Sequence, residues 1–173
     1  MLDVGAGSGC HSLVLQELGL DVCALELAPE LCDMMRARGV RNVSCGDIRV
    51  LEAEPFDTVL MMMNGFELSG SLAGLVRLLA HLHSLVSKGG QVLADSTDLR
   101  ETHGSEADPS QREDGRYVGE LTFQLEYGGR KGTPFQHLYV DPDTLEEHAA
   151  KAGWGLTIVC EGDFGHYLAQ LTH

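Results

Sequence analysis

The sequence predicts an α/β protein: a doubly wound, mostly parallel sheet that finishes in antiparallel strands. Two observations carry this. Over roughly the first 95 residues, short apolar runs alternate with stretches of helical spacing, the pattern that crossovers between parallel strands require. Beyond about residue 117 the period changes to simple alternation, and the last two apolar runs are separated by one short polar turn, which suits antiparallel pairing. At 173 residues the chain is long enough for one domain with a sizeable core and short for two, so 1–173 is read as a single domain.

Leu2–Val4 open the first strand, and a helix over 10–18 follows a glycine loop. The second strand covers 21–25 and is closed by Glu26. Pro29, whose fixed φ suits a first helical turn, starts a helix that stops at Gly39. Residues 42–45 form a third strand and 56–63 a fourth, apolar on both faces as a buried central strand should be. Leu68, Leu72, Leu75, Leu79, Leu82 and Val86 recur at helical spacing, so a helix is expected over 68–86, ended by Gly89 and Gly90. A fifth strand over 91–94 stops at Asp95, and the polar, acidic stretch 96–116 reads as a mobile loop. Leu121, Phe123, Leu125 and Tyr127 alternate with polar residues as a half-buried strand, 128–132 make a turn, and 135–140 return, with Pro134 at the start. Together they form a β-hairpin insertion at about 117–140. Asp141 and Pro142 start a helix that ends near 152–153, and strands over 156–160 and 167–171 complete the sheet.

Twelve Lys and Arg stand against 26 Asp and Glu, a formal net charge of −14 with His neutral. Such a domain repels a phosphate backbone, and its basic residues form no stripe, so no nucleic-acid partner is expected. No run approaches the roughly 20 apolar residues of a spanning helix, so no membrane partner is expected. The opening MLDVGAGSG is neither a basic n-region nor an apolar h-region; it reads as carrying no secretory signal and points to a cytoplasmic protein. The five cysteines, odd in number and without a C-x-x-C pair, read as reduced thiols, most of them small packing residues. No cluster has metal-ligand spacing and no G-x-S-x-G turn occurs, so neither a metal nor a serine nucleophile is expected.

The strongest chemical signal is Asp3-x-Gly5-x-Gly7-x-Gly9 between a strand and a helix. Glycines let a ligand approach main-chain atoms, and the free N–H groups of the following helix favour a negative group. Alone, the loop also suits an ordinary strand-to-helix turn. Glu26 closes the second strand seventeen residues later, where a carboxylate can accept the hydroxyls of a ribose; an isolated strand-end acid in solvent is the other reading. Gly46-Asp47-Ile48 follow the third strand, where the acid could accept from an adenine amino group while Ile48 packs on the ring, or simply cap a turn. A dinucleotide fingerprint would place its third glycine at position 10, which is Cys10.

These residues and the 56–63 strand resemble the class I S-adenosylmethionine-dependent methyltransferases. The resemblance covers the order of elements over nearly the whole chain, and its motifs run to about residue 65. It implies a Rossmann-like, seven-stranded sheet whose last strand is antiparallel, S-adenosylmethionine as cofactor, and methyl transfer to an O or N atom of a small molecule. By that match Gly5, Ala6, Gly7 and Gly9 line the methionine portion, supported by Asp3. Glu26 holds the ribose, Leu27 packs on the adenine, and Gly46, Asp47 and Ile48 bind the base. Asn64 and Gly65 fall where the family places methyl transfer, Asn64 also touching the cofactor. Asn64-Gly65-Phe66 lacks the Pro-Pro-aromatic run tied to methylation of base nitrogens, which disfavours nucleobase substrates. Family members usually carry a helix ahead of the first strand. Here the strand opens the sequence, so a truncated N-terminus is expected: either the chain is a truncated form that lacks one wall of the cofactor pocket, or another segment or subunit covers that edge.

In-line methyl displacement depends mainly on positioning, which can supply roughly 7–11 kcal/mol, so no catalytic residue is assigned. Asn64 could bind substrate or cap the next helix. Asp95 ends a strand at the ligand-bearing edge but also suits a turn. His137 and Tyr139 share one face of the return strand and would line a substrate pocket if the hairpin folds over that edge; the same stripe suits core packing or contact between two copies in a homodimer. Met61, Met62 and Met63 read as core packing. Two rival functions stay open: a NAD-type oxidoreductase on a similar sheet, and a non-catalytic module that binds an adenosyl ligand.

Overall fold

A computed structural model describes residues 1–104 and 108–173. In chain order the elements are β1 (Leu2–Val4), α1 (Cys10–Glu17), β2 (Cys23–Glu26), α2 (Pro29–Arg38), β3 (Asn42–Cys45), β4 (Phe56–Met61), α3 (Leu72–Leu85), β5 (Val86–Thr97) and α4 (Arg100–His103). They continue with β6 (Glu120–Phe123), β7 (Glu126–Tyr127), β8 (Arg130–Lys131), β9 (Phe135–Leu138), α5 (Pro142–Lys151), β10 (Gly155–Glu161) and β11 (His166–Thr172).

Seven strands form one sheet in the order β10-β11-β5-β4-β1-β2-β3. β1, β2, β3, β4 and β5 run parallel, while β11 is antiparallel to both β5 and β10. The order reverses at β1, with β2 on one side and β4 on the other, which opens a crevice at the carboxyl ends of these strands. No described helix is long and apolar enough to cross a membrane.

Local chemistry explains the boundaries. Pro29 opens α2, and Gly39 at φ 95° closes it. The Ser71 hydroxyl accepts from Gly74 N at 3.1 Å to start α3. α3 then lays Leu75, Leu78, Leu79, Leu82 and Leu85 into the main core with β4, β5 and β11. Asp141 caps α5 by accepting from Thr144 N at 3.0 Å. Trp154, buried behind α3, donates its indole N–H to Leu79 O at 2.9 Å, so its one polar atom is satisfied.

The sheet departs from expectation in several places. The fourth strand stops at Met61, because Met63 and Asn64 take left-handed backbone (φ 68° and 60°) and turn the chain into a 3₁₀ turn over Gly65–Ser69. Hence α3 starts at Leu72, not at 68, and Met63 stands 76% exposed instead of packing in the core with Met61. β5 is far longer than expected: Val86 already pairs with Phe56, Gly89 and Gly90 form an irregularity inside the strand, and pairing with β11 continues to Thr97. The 96–116 stretch also carries α4 and a bridge between Gln111 and Tyr117, while part of that expected loop lies outside the described residues.

The hairpin is real but half-uncovered. β6 pairs with β9, and a separate two-residue ladder, β7 with β8, forms the tip. Leu121 is partly buried, whereas Leu125 and Tyr127 stand 70% and 92% exposed. The alternation is that of a strand, yet among the described residues no second layer packs on its outer half. Of the cysteines only Cys32 is buried; Cys10, Cys45 and Cys160 are exposed. Most therefore do not serve the core, contrary to the packing expectation: Cys10 opens α1 on its exposed side, and the short β3 and the outer β10 leave Cys45 and Cys160 at the surface.

Candidate active site

A cleft of about 460 Å³ opens at the carboxyl ends of β1, β2 and β3, within the size range of small-molecule sites. Gly5, Glu26, Leu27, Asp47 and Ile48 line one part of it, and Glu67, Leu68, Phe135 and His137 the other.

Its foundation is the β1–α1 loop. Gly5 N and Ala6 N both donate to Leu25 O, at 2.9 and 3.1 Å, which pins the loop to β2. Asp3, 1% exposed, accepts from the Ser12 hydroxyl at 2.6 Å and so ties β1 to α1. Burial pushes the Asp3 carboxyl up, partly offset by the Ser12 bond. Gly9 starts α1 at φ 81°, and a Cβ there would come within 2.7 Å of Val40 Cγ2 and 3.0 Å of Met35 Cγ. Its glycine is thus required by the packing of α1 on α2 as well as by the backbone. At Gly5 a Cβ would meet nothing within 4 Å, so that backbone faces open space on the cleft.

Glu26 joins two of these junctions. Its Oε2 accepts from Gly7 N at 2.9 Å, and its Oε1 from Leu27 N at 2.8 Å and Ala28 N at 3.0 Å. Three amides on about four acceptor positions leave room for a further hydroxyl donor. Asp47 caps the 3₁₀ turn Ile48–Val50 by accepting from Arg49 N at 2.9 Å. The Arg49 guanidinium also forks both carboxylate oxygens, Nε at 3.0 Å and Nη2 at 2.6 Å, and holds Asp47 below the usual carboxylate range. A purine amino group reaching Asp47 would share the carboxylate with these three Arg49 donors.

Across the cleft, Asp95 accepts from Asn64 N, at 3.0 Å to each oxygen, and more loosely from Gly65 N at 3.5 Å. It holds the left-handed Met63-Asn64 pair in place. Asn64 begins the 3₁₀ turn without capping it through its side chain; Oδ1 accepts from the Thr97 hydroxyl at 2.8 Å instead. Gly65 is buried, with room for no Cβ beside Met61. Glu67, on the same turn, faces β9: His137 Nδ1 lies 3.1 Å from Glu67 Oε2, close but not aligned as a hydrogen bond. Burial raises the Glu67 carboxyl, His137 opposes this, and Asp95 adds to it. The His137 ring stands 5.0 Å from Phe123, 5.1 Å from Phe135 and 6.0 Å from Tyr139. Burial and the Glu67 charge push the Tyr139 phenol up.

A family described as a methyltransferase domain matches residues 1–90. The chain belongs to the class I S-adenosylmethionine-dependent methyltransferases. A methyltransferase of the same kind from Bacteroides fragilis, solved with S-adenosylhomocysteine, is 37% identical, and the alignment covers 99% of this chain and 70% of that one at a TM-score of 0.86. The cypemycin N-terminal methyltransferase of a Streptomyces species is 32% identical over 105 residues, 58% of this chain; the match spans 43% of that relative. The CcbJ methyltransferase of Streptomyces caelestis shares the fold at 14% identity and a TM-score of 0.73, over 99% of this chain and 82% of that one.

The methyltransferase residues present fit the family's cofactor. The cleft has a glycine backbone at its floor and one carboxylate with acceptor capacity to spare, between Leu27 and the β1–α1 loop. Of the residues singled out from sequence, Gly5, Glu26, Leu27, Gly46, Asp47, Ile48 and His137 line this one cleft. Asp3, Ala6, Gly7, Gly9, Asn64, Gly65, Asp95 and Tyr139 lie behind or beside its lining and support it. Sequence reasoning missed Arg49 and Glu67. The Asp-x-Arg spacing at 47 and 49 and the position of Glu67 three residues past Asn64, at the carboxyl end of β4, were the available signals.

Proposed function

We propose that this methyltransferase transfers a methyl group from S-adenosylmethionine to a nitrogen or oxygen atom of a small molecule. One observation carries the reading: a single cleft runs from the Glu26 and Asp47 carboxylates to Glu67 and His137, so a nucleoside end and an acceptor end belong to the same space. When bound, S-adenosylmethionine supplies an electrophilic methyl group on a positively charged sulfur. The chain's own part is positional. Glu26 would take the ribose hydroxyls, Leu27 and Ile48 would flank the purine, and the Gly5 backbone would lie along the remainder. Glu67, Leu68, Phe135 and His137 would enclose the acceptor and exclude water from it. The cypemycin N-terminal methyltransferase, by its name, favours nitrogen as the acceptor.

The test is to incubate the protein with S-adenosylmethionine and pools of small amines and alcohols, and to follow release of S-adenosylhomocysteine. Release that depends on the acceptor is expected. Cofactor binding with no acceptor-dependent release from any pool would mark a binding module instead, and tighter binding of NAD than of S-adenosylhomocysteine would point to redox chemistry.

A further inference from the structure

The acceptor end of the cleft has a chemical character of its own. Glu67 reaches it with a side chain 32% exposed, and its Oε1 has no protein partner among the described residues. His137, 20% exposed, holds Nδ1 near Glu67 Oε2 without forming a hydrogen bond. Phe135 lines the same wall, and Phe123 and Tyr139 back the His137 ring. Asp95 lies close enough to add to the negative field at Glu67. Arg49 is the one guanidinium or ammonium among the described lining residues, and Asp47 already neutralises it. A carboxylate with a spare oxygen, on a wall of aromatic rings and with no Lys or Arg beside it among the described residues, attracts an organic cation and disfavours an anion while the neighbouring His137 imidazole is neutral.

From this, and resting on the methyl-transfer reading above, we propose that the acceptor is an organic amine that enters as its ammonium form. The ammonium group pairs with Glu67, which takes one of its protons so that the amine nitrogen regains its lone pair before methyl transfer, and the apolar body attached to it lies against Leu68 and Phe135. Anionic acceptors such as carboxylates and phenolates are excluded by the same field. The half-covered hairpin suits this role: β9 contributes the aromatic wall, while its outer side needs no burial to hold the wall in place.

The probes are phenethylamine and its neutral analogue phenethyl alcohol, each titrated calorimetrically into protein saturated with S-adenosylhomocysteine. The amine should bind about tenfold or more tightly than the alcohol, the ratio that corresponds to about 1.4 kcal/mol. Glu67→Gln should bring the two affinities within about twofold of each other while leaving S-adenosylhomocysteine binding unchanged, which also shows that the variant is folded. Equal affinities in the parent protein, no measurable amine binding, or a preference that survives in Glu67→Gln would each overturn the proposal and leave the cofactor reading intact. Failure of S-adenosylhomocysteine itself to bind would overturn the methyl-transfer reading, and this inference with it.

Discussion

At the scale of single residues, Glu26 does more than present a carboxylate to a ligand. Without a ligand it already gathers Gly7 N, Leu27 N and Ala28 N, so it sets the distance between the glycine loop and the start of α2. Hydrogen bonds to a charged acceptor are worth about 1.5–3 kcal/mol each where water is excluded. Glu26→Ala is therefore expected to weaken S-adenosylhomocysteine binding by about tenfold or more and to lower the unfolding midpoint in urea modestly. Unchanged affinity in a calorimetric titration would contradict the ribose role. Asp95 and Asn64 show why residue type alone misleads. From sequence both suit substrate contact, but Asp95 spends its oxygens on the amides of the β4 turn and Asn64 accepts from Thr97. Those bonds follow from two consecutive left-handed residues, Met63 and Asn64, which no periodicity announces.

At the scale of elements, the junction before α5 concentrates charge in the interior. Asp141, 1% exposed, accepts from Thr144 N at 3.0 Å, Thr144 Oγ1 at 2.7 Å and Tyr117 OH at 2.7 Å, with Arg100 Nη1 3.3 Å away. Burial alone would raise its carboxyl; the Thr144, Tyr117 and Arg100 partners outweigh burial and hold it below the ordinary aspartate value. A carboxyl depressed on folding adds stability above the unfolded value, and that contribution is lost as pH falls through the folded value. Asp141→Asn should therefore cost about 1–3 kcal/mol in urea denaturation at neutral pH, and the gap from the parent protein should close in acid. Equal midpoints at neutral pH would contradict this account of the cap. Elements with paired start and stop signals were legible in advance: α2 lies between Pro29 and Gly39 as read from sequence, and α5 starts at Pro142 behind the Asp141 cap. The hairpin was legible in existence but not in depth. Alternation specifies which side chains share a face, whereas burial of Leu125 and Tyr127 depends on a partner layer that the described residues do not supply.

At the scale of the whole molecule, the sheet order places the ends of β1, β2 and β3 side by side with the turn after β4. Three sequence signals spread over more than forty residues thus become neighbours: the loop at 5–9, Glu26 and Asp47. This convergence was readable because each signal sits at the same relative place, just after a strand. The acceptor wall was less readable. Glu67 and His137 are seventy residues apart, and their approach depends on how the hairpin folds back, a long-range contact without a local signature. The central claim is that the convergent junctions hold an adenosyl ligand. A crystal structure of the protein grown with S-adenosylhomocysteine tests it most directly. The ribose oxygens should lie against Glu26, and the purine should sit between Leu27 and Ile48 with its amino group at Asp47. Density for the ligand elsewhere, or Glu26 and Asp47 left in contact only with their present protein partners, would contradict it.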